Sequence, residues 1–281
     1  MDLLVNKKDA TPVLLDPRAL GSILYHDIFD YPLSFSELIK WERAPGKGQV
    51  KIIVQIKNGF YFLQGRDGII LKRLMRKRIS AKKLSIARKA SQILATIPMV
   101  KFVGITGALA MENADDDSDI DLLIITQKGT LWTSRILVLL ALKAIGFPVR
   151  RYQDKDQKDK LCLNMWLDET ALAWPKKDRN IYTAHEIAQI VPLVNKAKAY
   201  ERFIFANKWA KRFWPNAIKV QTIKMNPENS SKLLSSLVEP LARKLQMWYM
   251  RGKITREVVG IKRAVFHPFD WGKLVLSKLT S

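Results

Sequence analysis

The chain has few residues that bind soft metals or form disulfides. Its 281 residues include one cysteine, Cys162, and three histidines, at positions 26, 185 and 267. A single cysteine excludes an internal disulfide, and three scattered histidines cannot assemble a Cys/His zinc cluster. This composition is typical of a reducing compartment, and we expect the protein to be cytoplasmic.

Long apolar runs are also lacking. The first residues, "MDLLVNKKDATPVLLD", contain no basic region followed by an apolar run. The longest apolar stretch, "ILVLLALKAIGF", is short and carries Lys143. Secretory leaders and membrane spans need longer uncharged segments. We therefore expect no signal peptide, no membrane span and no membrane partner.

Negative charge is scarce. Forty-eight Lys and Arg outnumber 26 Asp and Glu, which gives a formal net charge of +22 and draws the protein toward nucleic acid, nucleotides or acidic lipid. No carboxylate occurs from residue 68 to residue 111, and the basic block at 72–89 falls in this interval. The block is either a solvated helix face or a surface that contacts RNA or DNA phosphates. Its cations are Lys72, Arg73, Arg76, Lys77, Arg78, Lys82, Lys83, Arg88 and Lys89.

Residues 1–78 carry the pattern of a winged-helix-like domain. Apolar residues at helical spacing precede Pro32, and Ser34 with Glu37 forms a capping box for a second helix. Two strand-like runs follow, "VKIIVQIKNGFYFL" and "GIIL", and Asn58-Gly59 marks a hairpin in the first. Two helices followed by a β-hairpin favour a winged helix-turn-helix.

Residues 79–195 predict a small mixed-sheet α/β core, and residues 196–281 a C-terminal helical region. Ser80 reads as the N-cap of a helix that turns Leu84, Ala87, Ser91 and Leu94 inward and its cations to water. The runs "MVKFVGIT", "IDLLIIT" and "KLCLNMWLD" predict strands, with a helix before the third and an exposed loop, "PVRRYQDKDQKDK". Beyond residue 180 we predict helices, with a linker at 216–230 and a kink or restart at Pro240. The fold class is therefore α/β (α+β).

An acidic turn interrupts this basic chain. "GITGALAMENADDDSDIDLLIIT" places five aspartates within seven positions at the start of an apolar strand. Asp119 and Asp121 are two apart, so both side chains project from one face of the sheet. Two adjacent carboxylates need a cation, and Mg²⁺ or Mn²⁺ binds through one or two carboxylates together with substrate phosphates.

The segment before the aspartates suits a phosphate. Gly107 allows a close backbone approach, and the N–H groups of "GALA" can hold an anion. A glycine turn followed by paired carboxylates is the arrangement that metal-assisted nucleotidyl transfer requires. A calcium loop is excluded, because Ile120 replaces its glycine and Thr126 its closing glutamate. A solvated turn is the alternative for Asp115 to Asp117.

These motifs resemble the nucleotidyltransferase superfamily typified by DNA polymerase beta and the minimal nucleotidyltransferases. The resemblance covers about residues 80 to 170 and lies in the strand-ending glycine, the gap and "SDIDLL". It implies Asp119 and Asp121 as catalytic metal ligands, Gly107, Ala108 and Ser118 as nucleotide-binding residues, and a nucleoside triphosphate as substrate. The whole chain also resembles microbial proteins that join a winged-helix-like segment to such a core.

Two positions depart from the family pattern. Ala108 replaces the serine that follows the glycine, and the later strand offers Asn164 where a third carboxylate is usual, with Asp168 and Glu169 only at its end. Asn164 can ligate a divalent ion through its carbonyl but cannot act as a base.

Two functions follow from these motifs. The first is a metal-dependent nucleotidyltransferase that transfers a nucleoside monophosphate to a hydroxyl or phosphate acceptor. The second is a degenerate nucleotidyltransferase fold that binds nucleic acid through its winged helix.

The remaining candidate motifs indicate structure. "HEIAQ" has Gln189 where a zinc-protease helix needs histidine, so we predict that His185 lies on a helix surface. His26 and His267 are predicted to be structural or exposed. Trp41, Trp132, Trp166 and Trp209 are predicted to pack in the interior.

Overall fold

A computed structural model describes residues 10–44, 53–151, 153–221, 238–251, 258–266 and 271–280. His267 and most of the predicted linker at 216–230 lie outside these residues. The described part contains mixed α and β structure in two sheets, as the sequence predicted.

The N-terminal region contains two helices and a four-stranded sheet of order β1-β3-β4-β2. Its elements are β1 (Thr11–Val13), α1 (Pro17–Asp27), β2 (Leu33–Ser34), α2 (Phe35–Lys40), β3 (Val54–Lys57) and β4 (Phe60–Leu63). The predicted capping box is confirmed, because Ser34 and Glu37 exchange hydrogen bonds at the start of α2. Asn58 and Gly59 have φ of +52° and +77°, as a tight β3–β4 hairpin requires.

A 28-residue helix, α3 (Gly68–Ala95), follows the hairpin. Two predictions were wrong here. "GIIL" is the first turn of α3 and not a strand, because Ile69 and Ile70 pack on Phe62 of the hairpin. Ser80 is not an N-cap. It lies buried in the middle of α3, where its hydroxyl accepts a hydrogen bond from the Ala114 N–H. The predicted domain boundary at residue 78 therefore lies inside a continuous helix.

The central sheet has six strands in the order β8-β5-β6-β7-β10-β9. Strands β6 and β7 are parallel, and every other neighbouring pair is antiparallel. The elements from β5 onward are β5 (Val100–Ile105), α4 (Gly107–Ala110), β6 (Ile120–Thr126), α5 (Leu131–Ala144), β7 (Leu161–Asp168), α6 (Ile181–Gln189), β8 (Val191–Asn195), α7 (Ala199–Ala206), α8 (Glu239–Met250), β9 (Val258–Val259), β10 (Arg263–Val265) and α9 (Trp271–Thr280), with short 3₁₀ turns at Lys176–Asp178 and Lys208–Arg212.

Each face of the central sheet is covered by a different set of elements. Leu123 and Ile125 of β6 face a core shared with the N-terminal region, α6, α7 and α9. Leu122 and Ile124, on the opposite face, pack against α3, α5 and α8. This alternation is the period-two pattern that the apolar run of β6 predicted. The four tryptophans predicted to be interior are buried.

The prediction of helices alone beyond residue 180 is wrong, because the chain there also forms strands. Strand β8 follows α6 directly and pairs with β5, and β10 pairs with β7. Both strands are short and take their partners from distant parts of the chain, so local periodicity carries little signal for them. None of the helices in the described ranges is long and apolar enough to cross a membrane.

Candidate active site

The aspartate pair lies where β6 begins. Asp119 immediately precedes the strand and Asp121 is its second residue. Carboxylate oxygens of the two side chains and the Cys162 sulfur all lie within 4.8 Å of one another. Asp121 points to the same face as Leu123, the face covered by the N-terminal region and α6. The two carboxylates are thus placed to share one cation.

Gly107 contacts the pair directly. Its φ is +63°, and the Thr106 N–H before it donates to the Asp121 carbonyl oxygen over 3.0 Å. A Cβ atom built on Gly107 would lie 2.8 Å from Asp121 Oδ2, closer than a carbon and an oxygen can approach. Both the backbone conformation and the approach therefore require glycine. The antiparallel β5–β6 pairing brings the end of one strand to the start of the other.

A cation that the sequence did not single out contacts Asp119. Arg150 Nη1 donates to Asp119 Oδ2 over 2.6 Å and lies 3.9 Å from Cys162 Sγ. The prediction that "PVRRYQDKDQKDK" forms an exposed loop is wrong at Arg150. The Arg150 N–H donates a hydrogen bond to the carbonyl of Leu161, the first residue of β7. The guanidinium neutralises the carboxylate of Asp119, which is only 10% exposed.

Asn164 lies beside Asp121, as its predicted metal-binding role requires. Its Nδ2 donates to Asp121 Oδ1 over 2.6 Å. Within the described residues, no group donates a hydrogen bond to the buried Asn164 Oδ1. Rotation of the amide exchanges Oδ1 and Nδ2, so this acceptor can turn toward the carboxylates. An acceptor without a donor next to two carboxylates fits a divalent cation.

The donor set favours a hard cation. Burial, and then the negative charges of Asp121 and Asp119, raises the pKa of the Cys162 thiol. Because a protonated thiol is a poor metal ligand, oxygen atoms from Asp119, Asp121 and Asn164 remain as donors. Oxygen donors suit Mg²⁺ or Mn²⁺.

The charge on Asp121 is sensitive to pH. Burial, and then the Asp119 carboxylate, raises the pKa of Asp121 to about 7. Arg150 and Asn164 act in the opposite direction but do not cancel these effects. A cation would favour the charged form and displace the proton.

A third acidic group near the pair comes from α6. Burial, and then the Asp121 carboxylate, raises the pKa of Glu186 to about 8. Glu186 Oε1 accepts a hydrogen bond from Gln189 Nε2 over 2.7 Å. No role was predicted for Glu186 from the sequence, where it occurs in "HEIAQ", the segment rejected as a zinc-protease motif.

The surface position predicted for His185 is wrong. His185 is 4% exposed, stacks on Trp41 and lies 3.2 Å from His26 between their Nε2 atoms. His26 is buried and structural, one of the two alternatives that the sequence left open.

The two acidic residues at the end of β7 do not join the site. Asp168 pairs with Thr126 at the far end of the β6–β7 register, whereas Asp121 pairs with Cys162. Six residues of extended chain separate these positions by about 20 Å. Asp168 accepts from the Gly129 N–H, and Glu169 binds Arg202. Neither is available as a third carboxylate.

Cations from the basic block and from the loop before β7 bind part of the acidic turn. Arg76 forms two hydrogen bonds to the Asp115 carboxylate, and Lys158 binds Asp116. Lys83 is fully buried, contrary to the prediction that the block's cations face water, and Arg73 is also buried. Exposed cations remain on α3 at Lys72, Lys77, Arg78, Lys82, Arg88 and Lys89, of which Lys72 binds Asp30 and Lys82 binds Asp159. The carboxylates of Asp115 and Asp116 are 63% and 56% exposed, which agrees with the solvated turn given as the alternative for these residues.

The structure also places the other two predicted nucleotide-binding residues. Ala108 is exposed in α4, next to Gly107. The Ser118 hydroxyl donates to the Asp115 carbonyl over 2.8 Å, so it holds the acidic turn in shape.

No family model, curated protein or solved structure matches the chain. We therefore infer its function from the geometry around Asp119 and Asp121.

Proposed function

We propose that the chain is a metal-dependent nucleotidyltransferase, acting in the cytoplasm, that transfers a nucleoside monophosphate from a triphosphate to a hydroxyl or phosphate acceptor and releases pyrophosphate. One observation carries the proposal: a glycine with positive φ stands so close to Asp121 that a Cβ would lie 2.8 Å from its carboxylate. Backbone and carboxylate pair are thus brought together where β5 ends and the neighbouring strand β6 begins, and phosphates and a cation can meet there.

The residues have separate roles in this proposal. Asp119 and Asp121 hold Mg²⁺ or Mn²⁺, with Asn164 Oδ1 as a neutral third donor. When bound, the cation would neutralise phosphate charge and stabilise the oxygens that attack and leave phosphorus. Gly107 and Ala108 present backbone amides to the triphosphate. Ala108 offers no hydroxyl, so recognition at this position depends on the backbone alone.

Arg150 exchanges partners when substrate binds. In the structure it donates to Asp119, and a guanidinium also binds phosphate oxygens well. We expect the Arg150 guanidinium to move from Asp119 to the triphosphate. The Asp119 carboxylate is then free to bind the cation. Cation and triphosphate should therefore bind more tightly together than either does alone.

The proposal is tested by thermal stabilisation. The melting temperature is measured with each nucleoside triphosphate and Mn²⁺, for the wild type and for Asp119→Asn/Asp121→Asn, because a ligand that binds only the folded state raises it. The control, Asp117→Asn/Asp156→Asn, makes the same charge change at two exposed aspartates of the neighbouring loops. Stabilisation should persist in the control and disappear in the site variant.

The pH dependence gives a second readout. With a pKa of about 7, Asp121 must lose a proton to bind the cation below that pH. Apparent Mn²⁺ affinity should fall about tenfold per pH unit below 7 and level off above it. An affinity that does not change between pH 6 and pH 8 would place the cation elsewhere.

The second candidate function is nucleic-acid binding by a degenerate core. Ala108, the uncharged Asn164 and the Arg150–Asp119 pair favour it. It predicts no triphosphate stabilisation in any variant, together with RNA or DNA affinity that falls when Lys77, Arg78, Arg88 and Lys89 are neutralised. Arg76 and Lys83 are unsuitable for this test because both support the acidic turn.

A further inference from the structure

Helix α8 (Glu239–Met250) buries two polar side chains, beside Ala242 and Met250, and leaves three large apolar side chains exposed. The face that packs against α5 carries Glu239 and Gln246, both buried. Leu241, Leu245 and Trp248 are 69%, 58% and 71% exposed, and they lie at i, i+4 and i+7, which forms one stripe along the helix. A helix normally buries such a stripe.

Specific hydrogen bonds hold α8 in this orientation. The Glu239 carboxylate accepts from the Trp132 and Thr133 N–H groups at the start of α5, over 2.7 and 2.9 Å. Gln246 donates to the Trp132 carbonyl over 2.8 Å and accepts from Arg135 over 2.6 Å. Rolling the helix to bury its leucines would leave these groups without partners. The exposed apolar stripe is therefore a fixed feature of the surface.

The charges around the stripe indicate what it contacts. Lys244 and Arg251 are exposed on the same side of α8. The only carboxylate of α8, Glu239, is buried on the opposite side, and α5 contains none. Leucine and tryptophan beside lysine and arginine are typical of helices that lie in the interface of an anionic membrane.

We propose that the exposed face of α8 binds the surface of an anionic lipid bilayer. Leu241, Leu245 and Trp248 insert among the acyl chains near the headgroups, and Lys244 and Arg251 contact lipid phosphates. A second copy of the chain fits less well, because its cations and its net charge of +22 would repel those of the first. The contact is peripheral, because no helix in the described ranges can cross a bilayer. It replaces the sequence-based expectation of no membrane partner, and it does not depend on the proposed nucleotidyltransferase activity.

The test is co-sedimentation of the full chain with vesicles. One set is phosphatidylcholine alone, and the other is phosphatidylcholine with phosphatidylglycerol in a ratio of about 7:3, chosen to mimic an anionic leaflet. The variant is Leu241→Ser/Trp248→Ser. Its matched control, Phe35→Ser/Leu71→Ser, also replaces one aromatic and one leucine, which are 62% and 50% exposed on α2 and α3. None of these changes alters net charge.

Because charge is constant, any difference between variants reports apolar insertion. Wild type and control should sediment with anionic vesicles. The affinity of Leu241→Ser/Trp248→Ser for these vesicles should be lower by a factor of about ten or more. Equal binding by all three proteins would overturn the proposal. A concentration-dependent dimer that is lost only in Leu241→Ser/Trp248→Ser would also overturn the proposal. RNA binding that is lost only in this variant would do the same. All four side chains are exposed, and unchanged melting temperatures would verify folding.

Discussion

At the scale of single residues, the function of a charged side chain depends on its burial. Lys82 and Lys83 are neighbours in the sequence and bind the same carboxylate, Asp159. Lys82 is 63% exposed, whereas Lys83 is fully buried. Lys83 Nζ also donates to the Asp116 and Ser118 carbonyls over 3.0 and 2.7 Å. Lys83 therefore supports the turn that leads to Asp119.

Replacing Lys83 with Met should destabilise the protein by about 3 kcal/mol, because the Asp116 and Ser118 carbonyls lose their buried donor and the Asp159 carboxylate keeps only Lys82. Lys82→Met makes the same chemical change and should cost about 1 kcal/mol or less, as an exposed ion pair does. Urea unfolding of both variants measures the difference. Equal costs would show that the buried position of Lys83 has no special effect.

At the scale of secondary-structure elements, the corner between β5 and α4 places the site. The sequence identified Gly107 as the residue that allows close approach, and the structure identifies the approaching group as Asp121. The strand assignments for β5, β6 and β7 were correct because their apolar runs are continuous and each is bounded by turn residues. Short strands β8 and β10 were missed, since only pairing with distant strands defines them.

Gly107→Ala should weaken Mn²⁺ and triphosphate binding by roughly tenfold to a hundredfold, because the new methyl displaces the Asp121 carboxylate. Gly65→Ala is the matched control: Gly65 also has a positive φ, of +79°, but nothing lies within 4 Å of its added Cβ. Both variants should lose about 1–2 kcal/mol of stability through backbone strain. Ligand-induced melting shifts separate the two, and similar binding by both variants would contradict the role given to Gly107.

At the scale of the whole molecule, buried rings join the N-terminal region to the core. His26 of α1 and His185 of α6 lie 3.2 Å apart between their Nε2 atoms, surrounded by Trp41 and Trp214. Burial lowers the pKa of His26 from 6.5 to about 4 and lowers that of His185 well below its usual value. Both histidines are therefore neutral in the folded protein at neutral pH.

Stability should fall as pH decreases from 6.5 toward 4. In this range the unfolded chain binds protons that the buried histidines do not, so each histidine lowers the free energy of unfolding by about 1.4 kcal/mol per pH unit. The raised pKa values of Asp121 and Glu186 act in the opposite direction.

Comparing the wild type with His26→Gln/His185→Gln isolates the histidine contribution, because both proteins keep the acidic groups. Urea unfolding at several pH values should show a weaker loss of stability on acidification in the variant. Identical pH profiles would mean that the histidines also titrate normally in the folded state.

The local features were predictable from the order of residues alone: the capping box at Ser34, the hairpin at Asn58-Gly59, the three strands that carry the site, and the aspartate pair with its glycine. Each of these features depends on residues close together in the chain, and for such residues spacing and backbone preference are enough to predict the local structure.

The distant groups that complete these features are known from the packing of the folded chain. Arg150 meets Asp119, Glu186 approaches Asp121, Lys83 is buried beside an exposed Lys82, and α8 presents leucines to the outside. Local periodicity cannot reveal such pairings, because burial and partner choice depend on how separate elements pack in space.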